Sequence, residues 1–237
     1  MPLPGAVPFP PEFARKYREK GYWRDKSLRD EFRICFQKYE KRTFLVDGER
    51  QYTYADLDRL SSNLALNLLE LGLKPLDRVV PTLPNVAEFV ILYFALQKIG
   101  AIPIAALATH RFAEISQFVR LSGATACFYP ERQGDFEFEP MIQRVKAESR
   151  SLKLCISLLQ LKQLIEKPGK GTLDVHIDPT DPCIFQLSGG TTGIPKLIPR
   201  THNDYAFNSK TAAPVCAVTQ DSVLLLALPI AHNLPLA

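Results

Sequence analysis

The stretch RVVPTLPNVAEFVILYFALQKIGAIPIA, residues 78–105, decides the fold class. Residues 78–82 predict a short strand, and residues 85–98 predict an amphipathic helix that ends at Gly100. Residues 101–105 predict a second strand. A strand, a helix of this length and another strand are typical of a right-handed βαβ unit, in which the two strands lie parallel in one sheet.

The same alternation of strand and helix continues on both sides of this unit. Leucines recur at steps of three and four between Thr53 and Gly72, which predicts a helix over residues 53–71 with Thr53 as its N-cap. The downstream pattern predicts a helix at 113–121 ending near Gly123, a strand at 124–129, a helix at 141–149, a strand at 152–156 and a helix at 158–166. We therefore predict an α/β protein with mainly parallel βαβ sheet layers, as one domain over residues 1–237.

Two segments fall outside this pattern. Residues 1–25 are proline-rich and then charged and aromatic, and they are predicted to form an extended lead-in on the surface. Residues 167–172, KPGKGT, predict an exposed loop.

Composition excludes several classes of protein. The net charge is +4, from 29 basic and 25 acidic residues of interspersed sign, so the basic stripe typical of nucleic-acid binding is missing. The most apolar stretch, residues 89–96, is too short to span a bilayer. The first residues, MPLPGAVPFPPEF, lack the pattern of a signal peptide. We expect a cytoplasmic protein that contacts neither nucleic acid nor membrane.

The five cysteines are widely spaced and form no C-x-x-C pair. An odd number without clusters argues against a disulfide framework and against a structural zinc site. Because four of them adjoin apolar or aromatic residues, we expect buried free thiols in a reducing compartment. No pair of histidines has metal-ligand spacing, so no metal site is predicted from this chain's side chains.

The segment CIFQLSGGTTGIPKLIPRTHNDY, residues 183–205, carries the chemistry. A predicted strand at 183–187 runs into a glycine-rich loop, and a second apolar piece follows at 197–199, so the loop is expected to join two strands. Glycines let the backbone aim successive N–H groups at an anion, and hydroxyls and a lysine add donors. The predicted phosphate-binding residues are Ser188, Gly189, Gly190, Thr191, Thr192, Gly193 and Lys196.

This loop differs from a Walker A loop, in which glycine directly precedes the lysine and serine or threonine follows it. Here Ile194 and Pro195 precede Lys196, and Leu197 follows. The alternative interpretation is a surface hairpin loop without a ligand.

The string SGGTTGIPK resembles the phosphate loop of the adenylate-forming superfamily. RTHNDY at 200–205, LPIAHNLPLA at 228–237 and FPPEFARKYREKGYW at 9–23 are similar to the stand-alone aryl-acid adenylating enzymes of siderophore biosynthesis. These enzymes use 2,3-dihydroxybenzoate or salicylate. The resemblance implies that ATP, with Mg²⁺, activates an aryl acid as its adenylate, and that the acyl group passes to the phosphopantetheine thiol of an aryl carrier protein.

Ala231-His232-Asn233 follows a predicted strand at 223–228. From the residues alone, His232 is as well explained by a capping or core role, and Asn233 by a turn. The resemblance implies that both line the acyl pocket, where the Asn233 amide bonds a ring hydroxyl beside the carboxylate. His202 is expected at the start of a helix in a structural role, and His110 and His176 receive no role.

The resemblance covers essentially the whole chain, but the chain covers less than half of a typical family member. We therefore expect an incomplete N-terminal (AMP-binding) domain, with the remainder of that domain and the small C-terminal domain absent. No catalytic residue is assigned within it, and the fragment alone is expected to be inactive. The favoured acid is 2,3-dihydroxybenzoate. The alternatives are a salicylate-AMP ligase, another acyl- or aryl-CoA ligase, and a short non-catalytic nucleotide-binding protein.

Overall fold

A helix buried on every side organises the fold in the computed structural model, which describes residues 3, 5–188 and 195–232. All 13 residues of this helix, α4 (Ala87–Ile99), are buried. The prediction of a helix here is confirmed, but the prediction that this helix is amphipathic is wrong. Helices cover α4 on one side and the sheet covers it on the other, so no face is left for solvent.

Three buried polar side chains of α4 each have at least one partner, which offsets part of the cost of burying them. Arg50 pairs with Glu88, with 2.7 Å between Arg50 Nη1 and Glu88 Oε1. Gln97 Nε2 donates to the carbonyl of Cys183 at 2.9 Å. Lys98 Nζ donates to the Asp58 carbonyl at 2.7 Å, and burial lowers the pKa of this lysine against the opposing effect of Asp58.

The predicted parallel sheet is present. Its four strands lie in the order β4–β3–β5–β8, and all three neighbouring pairs are parallel. Their bounds are β3 (Arg78–Pro81), β4 (Ile102–Pro103), β5 (Ala126–Tyr129) and β8 (Leu154–Ser157). The helices α4, α5 (Phe112–Ser122) and α6 (Phe138–Glu148) connect them along the chain, as the βαβ pattern predicts.

The start and stop signals of the predicted helices are confirmed. Helix α3 (Tyr54–Glu70) begins with a capping box in which Thr53 and Asp56 bond each other's backbone N–H groups. The last helix predicted upstream of the glycine-rich segment, α7 (Leu158–Glu166), has the bounds predicted for it. Gly100 and Gly123 follow α4 and α5 at φ of 68° and 62°, a conformation that favours glycine.

Several short elements lie between or outside the predicted ones. They are α1 (Pro11–Glu19), α2 (Leu28–Lys38), β1 (Thr43–Asp47), β2 (Arg50–Thr53), β6 (Arg132–Gln133) and β7 (Phe136–Glu137). The chain then forms an antiparallel hairpin of β9 (Pro182–Leu187) and β10 (Leu197–Thr201), followed by α8 (His202–Val215).

One predicted strand is wrong. Residues 223–228 form neither a strand nor a helix, and they pair with no strand in the described part of the chain. Their apolar side chains are largely exposed, with Val223 at 94% and Leu225 at 91%. An apolar run becomes a strand only where a neighbour supplies hydrogen bonds, and periodicity alone does not reveal that neighbour.

The expectation of buried cysteines holds for only part of the set. All five thiols are free; Cys127 and Cys183 are buried, and Cys155 is half-buried. Cys35, within α2, and Cys216, the C-cap of α8, are exposed. None of the helices in the described residues is both long and apolar enough to cross a membrane.

The lead-in contains a helix and is fastened to the start of α8. The Arg18 guanidinium pairs with Asp25, which lowers the pKa of that carboxyl. The Asp25 backbone N–H donates to Asn203 Oδ1, and Asn203 Nδ2 donates to Asp25 Oδ1, both at 3.0 Å. Beside them, the Leu28 N–H donates to His202 Nδ1 at 3.1 Å.

His202 is therefore structural, as predicted. It is the first residue of α8 and is 1% exposed. Burial, together with the positive charge of Arg29, lowers the pKa of His202 to about 4. Its Nδ1 accepts a hydrogen bond, so the neutral ring is the form that fits this site.

This buried histidine predicts a pH-dependent stability. Because the pKa is below the ordinary value of about 6.5, the stabilisation is complete above pH 6.5 and is lost as pH falls towards 4. The loss across that window should be about 3 kcal/mol in the free energy of unfolding. Urea denaturation of the chain between pH 7.5 and pH 4.5 measures it.

The matched variants are His202→Asn, whose amide oxygen can still accept from Leu28, and His176→Asn at an exposed histidine. His202→Asn should flatten the pH dependence, whereas His176→Asn should leave it as in the parent chain. If the free energy of unfolding of His202→Asn fell with decreasing pH as steeply as that of the parent chain, the assignment of this pH dependence to His202 would be contradicted.

Candidate functional site

Ser188 and Lys196 close the β9–β10 hairpin on either side of the glycine-rich segment. The Ser188 N–H donates to the carbonyl of Lys196 at 3.0 Å, and the Lys196 N–H donates to Ser188 Oγ at 2.9 Å. The strands run antiparallel below them, with Leu187 opposite Leu197. The prediction that the loop joins two strands is confirmed.

This closure leaves two groups of the predicted phosphate-binding set available for a ligand. Ser188 Oγ accepts from the backbone, so its O–H hydrogen can still be donated. The Lys196 side chain is exposed and forms no ion pair with any described residue. The other predicted residues of the loop, Gly189, Gly190, Thr191, Thr192 and Gly193, lie outside the described residues.

Strand β9 is held at the edge of the parallel sheet. Ile104, just after β4, forms a parallel bridge with Phe185, and the Ala105 N–H donates to the Phe185 carbonyl at 3.0 Å. On its other side, Gln97 of α4 holds the Cys183 carbonyl. Burial raises the pKa of the Cys183 thiol, which makes it an inert core group. The carboxyl end of β9 therefore points the same way as those of β3 and β4.

A charged group lies beneath the hairpin. Arg200 of β10 pairs through Nε with Asp204 of α8, and its Nη1 lies 3.4 Å from Gln186 Oε1. The guanidinium also lies over the ring of Tyr205, 5.6 Å from its centroid. Asp204 neutralises Arg200, so Lys196 is the positive charge at this end of the hairpin that pairs with no described residue. Sequence analysis assigned no role to Arg200 or Asp204, although their spacing of four residues across a helix start is a usable signal.

The segment before His232 is anchored from below. Ile230 and Ala231 are buried in the main core, at 8% and 2% exposure. His232 is exposed, and its N–H donates to the Pro229 carbonyl at 2.8 Å. Asn233, the second predicted acyl-binding residue, lies outside the described residues. Asn85, a residue that sequence reasoning did not select, bonds the backbone of this segment.

The two predicted site segments lie at one edge of the sheet. Ser188 follows the carboxyl end of β9, and Asn85, which holds the segment before His232, follows the carboxyl end of β3. β9 and β3 flank β4, and all three run in the same direction. In open α/β sheets, ligands bind at the carboxyl ends of the strands. The arrangement can therefore present a phosphate-binding loop and an adjoining pocket wall to one ligand.

His110, one of the two histidines to which sequence analysis assigned no role, has a structural one. His110 Nδ1 accepts from the Leu107 N–H at 3.0 Å, and Arg111 lies over the ring of Phe136 at 4.2 Å. Burial lowers the pKa of His110.

Within the described residues, no group of three or more histidine, cysteine, aspartate and glutamate side chains is placed to hold a metal ion.

Comparison with known proteins gives a consistent result. The family model described as AMP-binding enzyme matches residues 32–237. The chain is 37% identical to the salicyl-AMP ligase / salicyl-S-ArCP synthetase of Mycobacterium tuberculosis. The match covers 99% of this chain and 44% of that protein. It is 35% identical to the 2,3-dihydroxybenzoate-AMP ligase of Bacillus subtilis, again over 99% of this chain and 44% of that protein.

Among solved structures, the apo structure of MbtA from Mycobacterium smegmatis superposes with a TM-score of 0.91 at 37% identity, covering 98% of this chain and 44% of that one. The chain thus spans less than half the length of each of these three proteins.

Proposed function

The chain belongs to the AMP-binding enzyme family, and from that premise we propose that the whole protein is a ligase that activates an aryl carboxylic acid. A carboxylate oxygen of the acid attacks the α-phosphorus of ATP. The bond from the α-phosphorus to the bridging oxygen breaks, and the products are the acyl-adenylate and pyrophosphate. The present chain contributes the phosphate loop and one wall of the acid pocket.

The observation that carries this proposal is the hydrogen-bonded closure between Ser188 and Lys196 at the carboxyl edge of the sheet. Attack by one anion on another needs the charge of the phosphates neutralised and the leaving pyrophosphate stabilised. The Lys196 ammonium and the Ser188 hydroxyl, held at the two ends of a glycine-rich loop, suit the β- and γ-phosphates. Donors placed before the reaction need no reorganisation as negative charge builds up on the leaving group.

Mg²⁺ is proposed as the metal that accompanies ATP. Bound to the triphosphate, it would neutralise charge on the leaving pyrophosphate. In nucleotide sites Mg²⁺ is commonly held by the substrate phosphates and waters together with one or two carboxylates.

The second step is proposed to be transfer to an aryl carrier protein. Its phosphopantetheine thiol attacks the acyl carbon, a thioester forms, and AMP leaves. This places the whole protein in siderophore biosynthesis by nonribosomal peptide synthesis. Relatives named for 2,3-dihydroxybenzoate-AMP and salicyl-AMP ligase activity support the proposal.

We propose 2,3-dihydroxybenzoate as the acid, with salicylate as the alternative. Both carry a hydroxyl next to the carboxylate, and an amide at Asn233 can donate to or accept from it. The similarity of the lead-in residues Gly21-Tyr22-Trp23 to the enzymes that use 2,3-dihydroxybenzoate favours that acid. Within this lead-in, Tyr22 stacks on Phe207 of α8, with 4.6 Å between the ring centroids.

The experiment that tests the proposed reaction is acid-dependent exchange of pyrophosphate into ATP, run with the whole protein and with residues 1–237 alone. The whole protein should catalyse exchange with an aryl acid. The 237-residue chain should not, because it holds the phosphates without the remainder of the enzyme. Exchange by the short chain would overturn the proposal that it is inactive. Nucleotide binding without exchange in the whole protein would favour a non-catalytic nucleotide-binding protein.

Replacing the loop lysine tests the phosphate-binding role. Lys196→Ala should raise the KM for ATP about tenfold or more, the loss expected for one charge-assisted hydrogen bond, while the KM for the acid stays unchanged. Lys153→Ala, at another exposed lysine, is the matched control and should leave both values alone. An unchanged KM for ATP in a folded Lys196→Ala protein would refute the role.

Replacing the proposed pocket amide tests the acid. Asn233→Leu should weaken 2,3-dihydroxybenzoate and salicylate by about 1–3 kcal/mol each, because the ring hydroxyl loses its partner. Benzoate, which lacks that hydroxyl, should be nearly unaffected. The measurement is kcat/KM for the three acids. Equal losses for all three would show that Asn233 is structural.

A further inference from the structure

Asn85 binds the backbone of the segment before His232 with all of its side-chain polar groups. Its Nδ2 donates to the carbonyl of Leu228 at 2.8 Å and to that of Leu226 at 3.3 Å. Its Oδ1 accepts from the N–H of Ile230 at 2.7 Å. Both amide hydrogens and the carbonyl oxygen are used, and this orientation of the amide is the one that satisfies all three bonds.

These bonds act on a stretch with little other support. Residues 223–228 pair with no strand among the described residues, and their side chains are largely exposed. Two residues further on, Ile230 and Ala231 enter the core. Asn85 thus holds the point where the chain passes from an exposed path into the core, directly before His232 and Asn233.

Asn85 itself stands on a rigid base. Leu83 is 2% exposed and Ala87, the first residue of the buried helix α4, is 1% exposed, so the core fixes the backbone on both sides of Asn85. The residue also follows the carboxyl end of β3. Through its side chain, Asn85 therefore links the segment before His232 to the carboxyl edge of the sheet.

We propose that Asn85 is a positioning residue for the aryl-acid pocket. It fixes residues 226–230 against the carboxyl edge of the sheet, and through them the place of His232, which precedes Asn233 in the sequence. The inference rests on the proposed function, since it takes His232 and Asn233 to line the acid pocket. Among the described residues, the Asn85 side chain bonds this segment and neither Ser188 nor Lys196, so we expect it to govern the acid and not ATP.

The test is Asn85→Leu in the whole protein, which keeps a similar volume and removes all three hydrogen bonds. The KM for the aryl acid should rise about tenfold, the loss expected for hydrogen bonds that solvent can reach. The KM for ATP should stay unchanged, and a thermal melt checks that the variant is folded. Asn63→Leu is the matched control: Asn63 Oδ1 accepts from the Gly169 N–H at 3.3 Å, away from the sheet edge, and its loss should change neither KM.

A second measurement separates this inference from the proposed function. Amide hydrogen exchange at Ile230 in the 237-residue chain should speed up in Asn85→Leu and not in Asn63→Leu.

Faster exchange together with a raised KM for the acid alone supports the proposal. Unchanged exchange overturns it, because Asn85 then holds nothing. Faster exchange with an unchanged KM for the acid also overturns it, and Asn233→Leu then shows whether the pocket assignment itself has failed. An equal rise in both KM values would mark Asn85 as merely structural and overturn it as well.

Discussion

The full burial of α4 is the constraint on which the rest of the structure depends. A helix without a solvent face must be covered on all sides, and each polar side chain within it must be given a partner. Glu88 draws in Arg50 from β2, Lys98 draws in Asp58 from α3, and Gln97 holds the backbone of β9. The central helix thereby fixes the positions of three elements that are distant from it in sequence.

The link through Gln97 matters most for the candidate site. It joins the most buried part of the protein to the strand that leads into the glycine-rich segment. On the other face, the bridge between Ile104 and Phe185 aligns that strand with the parallel sheet. The loop therefore begins from a strand fixed on two sides, and the Ser188–Lys196 closure extends that order to the loop's ends. Groups that bind phosphate gain from such preorganisation, because little motion must be arrested on binding.

Sequence patterns predicted what depends on near neighbours in the chain. The capping box of Thr53 and the stop at Gly100 are local, and so are the alternating strands and helices of the parallel sheet. The pairing of Ser188 with Lys196 was also within reach, because the glycine-rich stretch between two apolar runs predicts a closed loop. Each of these features is set by residues that lie within a few positions of one another.

What could not be predicted depends on residues far apart in sequence. The apolar run at 223–228 has no strand partner among the described residues, and the burial of α4 on every side comes from elements that pack on it across the fold. The position of Asn85 is the clearest case in the site. Its partner Ile230 is 145 residues away, and an isolated asparagine after a proline is ordinarily explained by a turn.

The junction between the lead-in and α8 has a consequence for how the protein is made. Leu28 and Asp25 find their partners in His202 and Asn203, which are separated from them by 174 and 178 residues. During synthesis from the amino terminus, the parallel sheet can assemble while the Leu28 N–H still bonds only water. The lead-in can dock only after residue 203 has left the ribosome. This junction therefore forms late in folding, and it attaches the completed hairpin to the part of the chain that is synthesised first.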